Sequence, residues 1–169
     1  LLDHLGLERA HVMGYSMGAR ISAVLALTRP DLVATLVLGG LGSGMTEGVP
    51  GAEDIIDALL AEDAGAGLTA QARMFRTFAD QTRSDRKALA ACMATSRRTL
   101  SATDLARIVQ PTLVAVGTRD DVGGSPQPLA DMMPNAEAFA IEGRDHMLAV
   151  GDRTFKKRVL EFLAAHAIG

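Results

Sequence analysis

Gly14-Tyr15-Ser16-Met17-Gly18 lies between a short extended stretch, Arg9 to Gly14, and a run with mostly helical spacing, Ser16 to Leu27. The pattern is G-x-S-x-G at the junction of a strand and a helix. A sharp turn there pushes the serine hydroxyl out beyond the strand's carboxyl end, and glycine on each side avoids a clash between neighbouring Cβ atoms. The helix that follows aims unpaired first-turn N–H groups at the same place, so the Met17 N–H is the expected oxyanion donor for a carbonyl attacked by Ser16. Five residues of this kind recur by chance in a chain with 17 glycines, and a glycine-lined turn with a capping serine is the alternative.

Outward from the elbow the chain alternates. On its amino side, Leu1 to Leu7 reads as a helix end stopped near Gly6. The chain has no starting methionine and opens inside this helix, which suggests that residues precede Leu1. On its carboxyl side Pro30 closes the first helix, and Leu32 to Leu38 is a nearly continuous apolar run rich in branched side chains, as in a strand covered on both faces. A glycine-rich irregular loop, 39 to 51, leads into three helical patterns over 53–62, 68–81 and 84–95 with no strand between them. This insertion is expected to end near residue 108. Thr112 to Gly117 is a second buried strand, Gln127 to Met133 a short helix ended by Pro134, Ala136 to Ile141 a strand, and Phe155 to His166 a helix. Such an order implies a mostly parallel sheet with helices on both faces.

Composition narrows the functional classes. An apolar fraction of 48% in 169 residues is ample for a core, so wholesale disorder is excluded. Charged residues make up 22% and the net charge is -3, which offers no extended positive field for nucleic acid or an anionic membrane. No segment is long and apolar enough for a bilayer span or a secretion signal, and a soluble, cytoplasmic protein is expected. Cys92 is the only cysteine, so neither an internal disulfide nor a CxxC zinc site can form; its apolar, alanine-rich flanks predict a helix-buried thiol.

A serine needs a base near neutrality, and histidine serves when a carboxylate fixes its tautomer. Gly117-Thr118-Arg119-Asp120 puts an acid just past the strand 112–117, and Gly143-Arg144-Asp145-His146 puts a histidine in the loop after the strand 136–141. Ser16, Asp120 and His146 thus fall at the same sheet edge, where parallel sheets place their sites. Asp121 is a rival for the orienting acid, whereas Asp145 reads as a loop cap and His4, His11 and His166 as structural or solvent-facing. Tyr15 is equally compatible with a packed ring and a substrate contact. Apolar side chains between residues 74 and 93, Met74 and Phe78 among them, fit either a lipophilic roof or plain packing, and Arg73, Arg76, Arg83, Arg86, Arg97 and Arg98 read as a solvated face.

The segments Leu7 to Pro30, Pro111 to Asp121 and Gly143 to Met147, taken together in the order Ser, Asp, His, resemble the α/β-hydrolase superfamily in its branch with a helical cap. The resemblance implies the second half of a parallel-sheet α/β-hydrolase fold: core over 1–43, cap over 44–108, core again over 109–169. It assigns Ser16 as nucleophile, Asp120 rather than Asp121 as acid, since the family's Gly-x-x-Asp spacing selects it, and His146 as base. Met17 falls on the oxyanion donor, and Tyr15, Met17, Met74, Phe78 and Met147 are the candidate substrate contacts. No metal or organic cofactor is implied. The expected activity is that of a serine hydrolase, an esterase acting on a small to medium, fairly apolar acyl compound. Lactone opening, carbon–carbon bond hydrolysis and perhydrolysis use a similar triad, and a non-enzymatic binding module on the same scaffold is the alternative of another class. Dehalogenases and epoxide hydrolases are disfavoured because their elbow carries an aspartate.

A complete member of the superfamily would have about four more strands before the elbow, and a loop among them would give the second oxyanion N–H. The elbow strand is therefore expected to be an open edge, covered by a missing amino-terminal half or by a second copy of the chain.

Overall fold

The computed structural model describes residues 1–63, 67–95 and 99–168. The chain forms two compact units, Leu1–Glu47 with Thr99–Gly169, and Gly48–Arg98.

In the first unit α1 (Leu2–Leu5) ends at Gly6, whose left-handed backbone, φ 64°, returns its N–H to the helix carbonyls. β1 (Ala10–Tyr15) turns at Ser16 into α2 (Met17–Thr28). The helix stops where Pro30 can no longer supply an N–H, and a single 3-10 turn, Pro30–Leu32, delivers the chain to β2 (Val33–Gly39). β3 (Thr112–Gly117) and β4 (Ala136–Ile141) follow later, with α8 (Pro126–Ala130) between them. The strands run parallel in the order β1-β2-β3-β4.

β2 and β3 are buried along their whole length, which is why their sequences are continuous apolar runs and not alternating ones. Their side chains still divide by the period of two. Leu36, Leu38, Val114 and Val116 pack on α2 and α8, whereas Val37, Leu113 and Ala115 pack with Phe155, Val159 and Phe162 of α10 (Arg153–Ala165) on the opposite face. β1 is an edge strand: Met13 is 51% exposed, and Ile21 and Val24 of α2 are exposed as well.

The short helices α3 (Gly44–Glu47) and α7 (Ala102–Leu105) belong to this first unit. The sequence expectation of one insertion from 44 to 108 therefore differs from the observed division. Met45, Leu100, Leu105 and Ile108 are buried in the same cluster as the sheet's Leu36 and Val114, and a Ser101–Asp104 capping box opens α7.

The second unit consists of α4 (Ala52–Leu60), α5 (Ala70–Gln81) and α6 (Arg86–Thr95), closed on a small cluster of Ile55, Leu59, Ala79 and Ala90. Two expectations are corrected here. Cys92 is exposed, because α6 turns Ala90, Leu89 and Met93 inward and a position two residues from Ala90 falls on the far side of the helix. Arg76 is not on a solvated face: it is 6% exposed, and its guanidinium donates to the carbonyls of Ala58, Ala61 and Glu62 and to Asp80. Arg73 and Arg83 are exposed and Arg86 is partly buried, while Arg97 and Arg98 lie outside the described residues. No helix among the described residues is long and apolar enough to cross a membrane.

Candidate active site

The elbow is built by a close approach and a strained turn. A Cβ on Gly14 would fall on the carbonyl of Gly18 and close to the Ser22 hydroxyl, so β1 and α2 can meet only if residue 14 has no side chain. Gly18 is different: a Cβ there would meet nothing, and the expected clash exists on one side of the serine only. Ser16 itself holds φ 54° and ψ -116°, a region that side chains rarely adopt and that proteins tolerate mainly where function requires it. Its N–H donates to the Gly39 carbonyl at 2.8 Å, fastening the turn to the end of β2. Met17 opens α2, and its N–H is a first-turn donor with no acceptor within the helix.

Asp120 and His146 reach the elbow from the ends of β3 and β4. Asp120 Oδ1 accepts from the Val122 N–H at 3.0 Å and the Gly123 N–H at 2.8 Å, a turn that holds the carboxylate with its other oxygen free. That oxygen, Oδ2, lies 2.8 Å from His146 Nδ1. His146 begins the short helix α9 (His146–Ala149), capped by Asp145, whose carboxylate accepts from the N–H groups of Met147 and Leu148. The imidazole is 3% exposed, and its Nε2 is 3.0 Å from Ser16 Oγ. A carboxylate can only accept, so Nδ1 carries the proton toward Asp120 and Nε2 is left to accept from the serine hydroxyl.

Main-chain bonds lace these loops together. Arg119 N–H donates to the Arg144 carbonyl, Gly143 N–H to the Thr118 hydroxyl, and a Cβ on Gly117 would strike the Arg144 carbonyl. On the other side of Asp120, the N–H groups of Gly42 and Gly44 donate to Gly123 O, and that of Ser43 to Ser125 O. The glycines of the irregular loop after β2 permit close contact between it and the loop after β3.

Asp121 is exposed and makes no part of the relay. Among the other histidines, His11 Nδ1 bonds the Thr35 hydroxyl at 2.7 Å and His166 Nδ1 bonds the Phe162 carbonyl at 2.9 Å, both structural. Met17 is largely exposed beside the nucleophile, and Met147 is partly buried next to His146. Met74 and Phe78 belong to the helical unit, Met74 partly buried and Phe78 42% exposed. Tyr15 is half-buried with its ring against Phe155 and its hydroxyl donating to the His146 carbonyl at 2.6 Å, an arrangement that residue type and position did not disclose.

In sequence and fold the chain is similar to known proteins. The alpha/beta hydrolase fold model matches residues 1–58. A relative from Stutzerimonas stutzeri, named "Putative carbamate hydrolase RutD", is 31% identical over 187 residues that cover 97% of this chain and 69% of the relative. The chain belongs to the α/β-hydrolase family. A hydrolase from Pseudomonas aeruginosa PA01 superposes on this α/β hydrolase with a TM-score of 0.74, at 28% identity, over 96% of the chain and 67% of the solved structure. Over a shorter stretch of 44 residues, 26% of this chain, it is 54% identical to the 2-hydroxy-6-oxononadienedioate/2-hydroxy-6-oxononatrienedioate hydrolase 2 of Pseudomonas putida, of which that stretch is 15%.

Proposed function

We propose that this α/β hydrolase cleaves a small, fairly apolar ester or related acyl compound through an acyl-enzyme on Ser16. The observation that carries the reading is the unbroken relay from Ser16 Oγ to His146 at 3.0 Å and on to Asp120 at 2.8 Å. Ser16 Oγ attacks the carbonyl carbon as its proton passes to His146 Nε2, and the resulting imidazolium is held by the Asp120 carboxylate. The Met17 N–H donates to the oxyanion. Collapse of the tetrahedral adduct breaks the bond to the leaving group, which takes the proton from Nε2. Water then attacks the acyl carbon with Nε2 as base, and a second collapse releases the acid and restores the serine hydroxyl.

In this reading Met17 and Met147 are the candidate substrate contacts beside the triad, and the separate helical unit Gly48–Arg98 is the cap. The exposed apolar side chains Met13, Ile21 and Val24 along β1 and α2 support the further reading that this edge is covered in the working protein, by other residues of the same protein or by a second copy. Two other acyl-type reactions have specific support: carbamate hydrolysis, by the name of the relative matched over 97% of this chain, and carbon–carbon bond hydrolysis, by the name of the relative in the 44-residue match.

A fluorophosphonate probe tests the chemistry. It is expected to label Ser16 and to leave Ser16→Ala unlabelled; a folded protein that takes no label at Ser16 removes the proposal. A panel of nitrophenyl esters, aryl carbamates and vinylogous diketones then ranks the three reactions by kcat/KM.

A further inference from the structure

The phenol of Tyr15 stands immediately before the nucleophile and bonds, across the site, to the main chain of the base. Its hydroxyl donates to the His146 carbonyl at 2.6 Å, and its ring centroid lies 5.5 Å from the imidazole's. The ring also sits in a slot made for it. A Cβ on Gly39 or Gly40 would run into the Tyr15 ring, and Gly40 holds a left-handed backbone, φ 62°, that favours glycine. Phe155 closes the slot from α10, with its centroid 6.4 Å from that of Tyr15.

Three separate features thus serve one hydrogen bond: two glycines at the end of β2, an aromatic wall, and the turn that carries residue 15 to the site. Burial, reinforced by the Asp120 and Asp145 carboxylates, pushes the phenol well above its usual value, so it remains a neutral donor throughout the range in which a histidine works. A phenol has a single proton to donate, and here it is directed at the protein rather than at a ligand.

We propose that Tyr15 is a positioning residue for the base: by tying the elbow strand to the carbonyl of His146, it sets the distance between imidazole Nε2 and Ser16 Oγ. The inference rests on the serine-hydrolase reading for its kinetic consequence but not for its structural one. His146 begins a helix of only four residues, whose main chain is also held by the Asp145 cap, by the Ala149 N–H bond to Asp145 O and by the Asp152 N–H bond to Ala149 O. Without the phenol the loop can drift by a fraction of an ångström, enough to lengthen the hydrogen bond from the serine hydroxyl.

The test is Tyr15→Phe in the purified protein, which keeps the ring in its slot and removes only the hydroxyl. Val159→Ala, in the same hydrophobic cluster but outside the hydrogen-bonded relay, is the control for general loosening. Tyr15→Phe is expected to slow fluorophosphonate labelling of Ser16, and kcat with an activated ester, by ~10-fold with KM little changed, since small displacements of reacting groups are costly. Val159→Ala is expected to lower Tm by at least as much while labelling at the wild-type rate. The downfield proton resonance of imidazole Nδ1 gives a reading independent of activity: sharp in the wild type and in Val159→Ala, broadened or lost in Tyr15→Phe. Equal labelling rates and an unchanged resonance in Tyr15→Phe overturn the proposal, as does an equal slowing in both variants. If even the wild type takes no label, the hydrolase reading fails and the resonance alone decides whether Tyr15 positions His146.

Discussion

Arg76 in the helical unit and Asp120 in the sheet unit are both charged side chains withdrawn from water, and their hydrogen bonds lead to different places. The Arg76 guanidinium spends its donors on the carbonyls at the end of α4, those of Ala58, Ala61 and Glu62, and on Asp80 one turn along its own helix. Three of these bonds end on backbone, and Asp80 leads on only as far as a second arginine, Arg86, 3.9 Å away. Asp120 uses one oxygen in the same way, on two loop N–H groups, but its second oxygen meets a titratable ring, and the ring meets a partly exposed hydroxyl. Buried charge that terminates on backbone holds a fold together; buried charge that continues through an imidazole to a nucleophile can move a proton.

The comparison predicts opposite phenotypes. Asp120→Asn keeps the shape and the loop bonds to one oxygen, but the amide favours the wrong imidazole tautomer. Turnover and the rate of Ser16 labelling are expected to fall by ~10³–10⁴-fold, while Tm changes little. An Asp120→Asn protein that labels within tenfold of wild type would break the distinction, because Asp120 would then be no more than another loop anchor.

Arg76→Met is the converse. It fills similar space but leaves the Ala58 and Glu62 carbonyls without the guanidinium, while the Ala61 carbonyl keeps its bond from Arg86, at a cost of about 2–3 kcal/mol for polar groups losing a charged partner. Hydrogen exchange is expected to show the loss locally: faster exchange for α4 and α5, with the amides of β2 and β3 protected as before. Uniform loss of protection across both units would show that the two respond as one cooperative body.

Much of this was legible in the chain, for reasons that differ by residue. β2 and β3 are recognisable because a strand covered on both faces must be apolar throughout. Asp120 and His146 were expected beside Ser16 because each follows the carboxyl end of a parallel strand, and the three do lie within hydrogen-bond reach. What escaped depends on angle and distance, not on residue type. Cys92 has the composition of a buried thiol, and only the phase of α6 turns it outward. Residues 99–108 fall within the expected insertion, and only the burial of Leu100, Leu105 and Ile108 against the sheet assigns them to the other unit. Gly42 reads only as part of an irregular loop, yet with Gly123 and Gly124 it marks backbones pressed together. Tyr15 was open between packing and ligand contact because a hydroxyl's partner across 131 residues leaves no local trace.

Asp152 sharpens the comparison from a third side, as an acid whose bonds end on backbone, on a hydroxyl and on an exposed cation. It caps α10 through the N–H groups of Thr154 and Phe155, and it pairs at 2.7 Å with Arg144, which is 46% exposed and whose carbonyl accepts from Arg119 in the acid loop. The Thr154 hydroxyl first, and Arg144 second, hold this carboxyl well below the usual range. The folded protein therefore binds the Asp152 proton less readily than the unfolded chain does. Its stabilising effect is complete above the ordinary carboxylate value of about 4 and fades as pH falls from there through the depressed folded value. Asp152→Asn preserves the cap and removes the titration, so the gap in Tm between wild type and variant should be constant from neutrality down to about pH 5 and shrink steadily below about pH 4. The gap should be small and should narrow further in salt, because Arg144 faces water and its attraction is screened. A gap that widens on acidification would reverse the sign of the coupling and mean that the carboxylate destabilises the native loop.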